Sequence, residues 1–127
     1  MTREADWMRQ AEADLKAARD LFATDNYAHA CFFCQQAAEK ALKALLERQR
    51  LSPFGHDLES LLEEVRNFFG VSTETEQACI RLNKFYIPPR YVNAFPTGAP
   101  VNHYHDFEAQ QALADAQEVL SFVRSHI

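Results

Sequence analysis

Apolar residues along the chain recur at steps of three and four, the period of helices packed on one face, and almost never alternate as strands would. Met8, Ala11, Leu15, Ala18 and Phe22 form one stripe, which predicts a first helix that Thr2 can cap and that ends near Ala23. Thr24-Asp25-Asn26 is a polar break, after which Tyr27, Ala30, Cys34, Ala38, Ala41 and Leu45 carry a second helix to about Arg50. Two helices of roughly 22 residues each, joined by about three, form an antiparallel hairpin some 33 Å long. Ser52-Pro53-Phe54-Gly55 stops the second helix. Leu58, Leu61, Leu62, Val65, Phe68 and Phe69 predict a short third helix capped by Gly70. Thr73 with Glu76 reads as a capping box opening a fourth, whose inward positions are Ala78, Cys79, Leu82, Phe85 and Tyr86. Pro88-Pro89 ends it, and the stretch Ile87–Tyr104 carries too many prolines for regular structure. A last helix starts near Asp106 and shows Leu113, Ala116, Leu120, Val123 and Ile127. The fold class is all-α: an antiparallel up-and-down bundle of four to five helices with a long proline-rich loop before the last.

Composition narrows this further. At 127 residues the chain is one domain, 1–127, and 47% hydrophobic with 24% charged residues excludes disorder over most of it. No apolar run reaches the roughly 18 residues that cross a bilayer, and no basic-then-apolar leader opens the chain. Three cysteines, Cys31, Cys34 and Cys79, suit a reducing compartment better than a disulfide framework. A soluble, cytoplasmic protein is expected.

The net charge of −5 is the wrong sign for a general nucleic-acid binder, but it is unevenly spread. Residues 57–76 carry −5, whereas Arg81, Lys84 and Arg90 lie in a stretch with no acid. That basic stretch runs into the proline-rich loop, which also holds Tyr86, Tyr91, Phe95, His103, Tyr104 and His105. A structureless loop of about 18 residues is unusual in a compact domain unless it has a function. The loop is therefore the candidate site for an anion such as a nucleotide or an RNA phosphate.

Other constellations have plainer readings. Cys31-Phe32-Phe33-Cys34 has redox or metal spacing, but it lies inside a helix with no second ligand pair, so its thiols read as packing residues. His56-Asp57-Leu58 reads as a helix start. His103 and His105 have no carboxylate cluster beside them, so neither metal nor cofactor is expected. Asp14 and Glu39 could act as acid and base if they met in a cleft; pairing with Lys40, Lys43 or Arg90 across a helix interface is the simpler role.

Taken together, Trp7, Ala11, Asp14-Leu15 and Ala18, the Gln35–Leu46 run, His56-Asp57-Leu58 and Tyr86-Ile87-Pro88-Pro89-Arg90-Tyr91 resemble a HEPN domain over nearly the whole chain. The resemblance implies a homodimer or higher homo-oligomer, often paired with a minimal nucleotidyltransferase in a toxin–antitoxin system. Active members are metal-independent ribonucleases in which an arginine is followed, four to six residues later, by a histidine. Here Arg90 matches the arginine, but the histidine positions hold Phe95, Pro96 and Thr97. A guanidinium alone still grips phosphate with its planar fork. The first expectation is thus a non-catalytic nucleotide- or RNA-phosphate-binding module using Arg90, Tyr91, Tyr86 and Lys84. The alternative is an endoribonuclease toxin in which His103 or His105 supplies the imidazole. Tyr104 is a candidate hydroxyl for nucleotidylation by the partner. Phe32, Phe33, Phe54, Phe68, Phe69 and Phe95 are many large apolar groups for one bundle, which favours dimerisation.

Overall fold

A computed structural model describes residues 2–127 and places six α-helices among them, with no strand. α1 (Glu4–Ala23) and α2 (Tyr27–Arg48) form the expected hairpin. Its turn is made by Asp25, which sits in the left-handed region at φ 64° while the Asn26 amide bonds back to the Leu21 carbonyl at 2.8 Å. α3 (Leu58–Arg66) and α4 (Thr73–Leu82) pack together, and α3 also lies on α2. α6 (Asp106–Arg124) returns against α1, α2 and α4.

α2 is the central post of the bundle. It is buried on nearly every side from Ala28 to Leu46, because all the longer helices lean on it. Buried alanines at 30, 37, 38 and 41 of α2, with Ala11 and Ala18 of α1 and Ala109, Ala112 and Ala116 of α6, share one core cluster, and such small side chains let the packed helices approach closely. Leu15, Leu42, Leu45, Leu58, Leu82 and Leu120 fill the space between. Polar groups that enter this interior are paired. Asp14 takes Lys40 Nζ at 2.6 Å, and Asp115 of α6 takes Arg81 of α4 in a two-pronged bridge, both contacts 2.8 Å.

Several local expectations change. Arg50, left-handed at φ 63°, ends α2 before the proline turn is reached. α3 stops at Arg66, and Gly70 has no left-handed φ, so it is not a helix cap. Ser72, not Thr73, caps α4, its hydroxyl accepting from the Thr75 amide; Asp57 caps α3 in the same way through the Glu59 amide. Thr2 meets the Glu4 side chain and caps nothing. The proline-rich stretch is folded, as 3₁₀ turns at Pro88–Arg90 and Val92–Ala94 followed by the one-turn α5 (Pro100–His103). Proline is well suited to the first position of such turns, which needs no backbone donor. Of the six phenylalanines counted as surplus, Phe33, Phe69 and Phe95 pack on the core, while Phe54 stands 90% exposed.

All three cysteines are buried and unbridged, and burial pushes the Cys31 and Cys79 thiols up from 9.0 to about 12 and Cys34 higher still. The folded chain keeps protons that the unfolded chain gives up. The thiols' contribution to stability is therefore flat below about pH 9 and falls above it, through the range ending near pH 12, by up to ~1.4 kcal/mol per pH unit for each thiol. Urea unfolding midpoints should drop between about pH 8 and pH 10.5, and drop less in Cys79→Ala. A midpoint that held steady would contradict the burial of these thiols.

Candidate functional site

The site gathers where the middle of α2, the turn before α3 and the chain after α4 meet. Arg90 is exposed, and its guanidinium carbon lies 4.4 Å from the Phe32 ring, 4.5 Å from Tyr86 and 5.1 Å from Tyr91. Its Nε donates to the Tyr86 carbonyl at 2.7 Å, the contact that the 3₁₀ turn Pro88–Arg90 makes possible. The terminal nitrogens make no hydrogen bond with any described residue, and no described carboxylate pairs with the charge. Three aromatic rings lie close around the guanidinium while its terminal nitrogens stay without a described partner.

Tyr86 carries a second group. The His56 imidazole stacks on it at 4.2 Å with planes 17° apart. Behind His56 stands Glu39 of α2, 3% exposed, whose Oε1 lies 2.9 Å from His56 Nδ1. The same carboxylate accepts from Lys43 Nζ at 3.0 Å and from the Gln35 and Gln36 amides, each at 3.3 Å. Gln35 also donates to the His56 carbonyl at 3.1 Å. Gln35, Glu39 and Lys43 follow one another at four-residue steps, so one face of α2 fastens both the ring and the backbone of His56. Gly55, at φ 93°, makes the turn that delivers it; a side chain there would be strained. An open cleft of about 300 Å³ runs beside this cluster, lined by His56, Asp57, Asn83, Tyr86, Ile87 and Pro88.

The other candidates lie elsewhere. Arg81 is committed to Asp115, so the basic stretch presents two cations without a described carboxylate, Lys84 and Arg90. Lys84 lines a separate cleft of about 460 Å³ with Arg81, Phe85 and Phe107. His103 stacks on Phe95 at 4.1 Å and its Nε2 donates to the Thr97 carbonyl at 2.7 Å, which fastens the loop on itself. His105 precedes α6, stacks on Phe107, and its backbone amide donates to Glu108. Neither ring makes a hydrogen bond or a stacking contact with the Arg90 cluster. Tyr104 is 7% exposed, set edge-on between Phe85 and Phe95, and burial pushes its phenol up to about 12. As a core residue it is badly placed for modification unless the segment opens. Among the described residues, no group of three His, Cys, Asp or Glu could hold a metal ion, and no helix is long and apolar enough to cross a membrane.

Glu39 and His56 each stand out in the sequence, but nothing in their spacing joins them. The one signal that could have done so is the Gln35-Glu39-Lys43 stripe, which places an amide, a carboxylate and an ammonium on one face of a helix, at four-residue steps.

A bundle with a long central hairpin and an arginine-bearing turn ahead of its last helix defines a known class of small helical domain. The HEPN domain model matches residues 5–126, and the chain belongs to the HEPN family. Among solved structures it is similar to TT1696 from Thermus thermophilus, with TM-score 0.96 and 38% identity over 100% of both chains. It is also similar to ST0689, an archaeal HEPN homologue, with TM-score 0.82 and 34% identity over 98% of each chain. A HEPN domain protein from Thermotoga maritima follows, with TM-score 0.77 and 30% identity over 94% of this chain and 95% of that one. In sequence the chain is 23% identical to "Putative toxin MJ1304" of Methanocaldococcus jannaschii, over 95% of this chain and 86% of that protein.

Proposed function

We propose that this HEPN protein binds an RNA or nucleotide phosphate through Arg90, as the toxin-type member of a toxin–antitoxin pair whose partner is a minimal nucleotidyltransferase. The observation that carries the reading is the state of Arg90: charged, exposed, set among three rings and without a described carboxylate. A guanidinium presented in this way is suited to two-pronged phosphate contacts, and the half-exposed Tyr91 offers a face on which a base can stack. The toxin role is supported by the likeness to the archaeal protein that bears that name. A homodimer in the cytoplasm completes the proposal. Phe54 at 90%, Val101 at 74% and Phe107 at 67% exposure supply apolar surface for self-association. Sedimentation that gave only monomer at micromolar concentration would remove the dimer.

The test is fluorescence-anisotropy titration of a labelled single-stranded RNA with the full chain and its variants. Arg90→Ala is expected to weaken binding by about tenfold or more, and Arg90→Lys to recover little, since an ammonium has neither the fork nor the flat face. Equal affinity of wild type and Arg90→Ala would overturn the reading.

A further inference from the structure

We propose that the cleft between α4 and α6 is a second binding site and that it takes a small aromatic carboxylate. The ring lies between Phe85 and Phe107, and the acid meets Lys84 and the outer edge of Arg81. The proposal does not depend on the phosphate-binding reading above. This cleft shares no lining residue with the one beside Tyr86. The 3₁₀ turn Asn83–Phe85 that follows α4 divides its side chains between the two: Asn83 lines the cleft of His56 and Tyr86, whereas Lys84 and Phe85 line the other with residues of the first half of α6.

Two observations distinguish this cleft from an ordinary seam between helices. The first is the preset position of its donors. Arg81 spends Nε and Nη2 on the buried Asp115, both at 2.8 Å, and Asp115 is steadied in turn by Gln111 Nε2 at 3.0 Å. The bridge locks the plane of a guanidinium that is nonetheless half exposed, and Nη1 bonds to no described residue. A donor edge fixed before the ligand arrives loses little freedom on binding. Lys84, three residues on, is exposed and pairs with no described carboxylate. The second is the pair of walls. Phe85 is set edge-on against Tyr104 at 5.9 Å, and Phe107 lies nearly parallel to His105 at 6.0 Å, so each ring has a neighbour that limits its turning. Phe107 remains largely exposed, apolar area that a flat ligand covers.

Charge selects the acid. Arg81 and Lys84 share the lining with Asp115 and Glu108, so positive and negative groups balance. Asp115 is taken by Arg81, and Glu108 accepts the His105 amide at 3.1 Å, which leaves Lys84 as the charge without a partner. One carboxylate matches that charge. A phosphate monoester, nearly doubly charged at neutral pH, exceeds it and is repelled by the two carboxylates. An uncharged ring leaves both the ammonium and the Nη1 edge unused. The volume of about 460 Å³ falls within the range of small-ligand sites, roughly 300–1,000 Å³, and admits a bicyclic ring.

The experiment titrates the full chain with 2-naphthoate by isothermal calorimetry, beside 2-naphthylmethanol, which lacks the charge, and 2-naphthyl phosphate, which doubles it. Naphthoate is expected to bind once per chain and about tenfold tighter than either. Lys84→Ala should weaken naphthoate by about tenfold and leave naphthylmethanol unchanged. Phe107→Ala should weaken both by about fivefold or more. Both side chains are exposed, so the variants should keep the wild-type melting temperature, and Arg90→Ala should bind naphthoate normally. Four results would overturn the proposal: no saturable binding at millimolar naphthoate, equal affinity of wild type and Lys84→Ala, tighter binding of the phosphate, or loss of binding in Arg90→Ala. Sedimentation of the same samples supplies a fifth. Naphthoate that binds only as an assembly dissociates would show that a second copy of the chain, and not a small acid, occupies the cleft.

Discussion

Lys43→Ala is expected to destabilise the fold by about 3–5 kcal/mol, because it strands the Glu39 carboxylate in the interior. The two side chains are 8% and 4% exposed and meet at 3.0 Å, so water cannot replace the ammonium. The amides of Gln35 and Gln36 and the His56 ring remain, but none carries the fixed charge that offsets the cost of burial. The melting temperature should fall by on the order of 10 °C or more. The penalty belongs to the orphaned charge and not to lost packing. Lys43→Met introduced into Glu39→Gln should therefore cost far less than Lys43→Met in the wild type, giving a coupling of about 2 kcal/mol or more in a double-mutant cycle. Purely additive costs would show that the carboxylate is solvated after all.

The bridge between α4 and α6 is expected to respond asymmetrically. Arg81→Ala leaves Asp115, 4% exposed, with Gln111 as its remaining donor, and should cost about 3 kcal/mol or more. Asp115→Ala leaves a guanidinium whose side chain is 46% exposed and can turn to water, so its cost should be nearer 1–2 kcal/mol. Urea denaturation of the two variants gives the order directly. A larger loss from Asp115→Ala would mean that Arg81 is the confined partner.

Much of this architecture could be read along the chain because it is local. The α1–α2 boundary followed from an apolar stripe broken by three polar residues, and Asp14 meets Lys40 across the hairpin, one of the interface pairings expected for it, whereas Glu39 meets Lys43 within α2 itself, four residues on, and not across an interface. The readings that changed concern choices between neighbours or contacts across long separations. Ser72 and Thr73 are adjacent hydroxyls, and which of them caps α4 depends on backbone angles that spacing does not encode. Pro88, Pro89 and Pro100 forbid ordinary helix interiors but permit single turns, so their density marked irregularity where there is order. Arg81 finds Asp115 across 34 positions, which leaves Arg90 as the arginine of the basic stretch without a described carboxylate. The site itself is the least local feature. Phe32, Glu39, His56, Tyr86 and Arg90 come from three segments, and only the packing of α2 under the turn before α3 brings the imidazole to the ring that carries the arginine.

The salt dependence of RNA binding tests the phosphate grip of Arg90 most directly. Each neutralised phosphate releases counterions, so the logarithm of affinity falls linearly with the logarithm of salt concentration, by roughly 0.7 per contact for a single strand. Wild type should show a slope that Arg90→Ala reduces by about one contact's worth, while Lys84→Ala, in its separate cleft, leaves it unchanged. Identical slopes for wild type and Arg90→Ala would mean that the guanidinium never meets a phosphate.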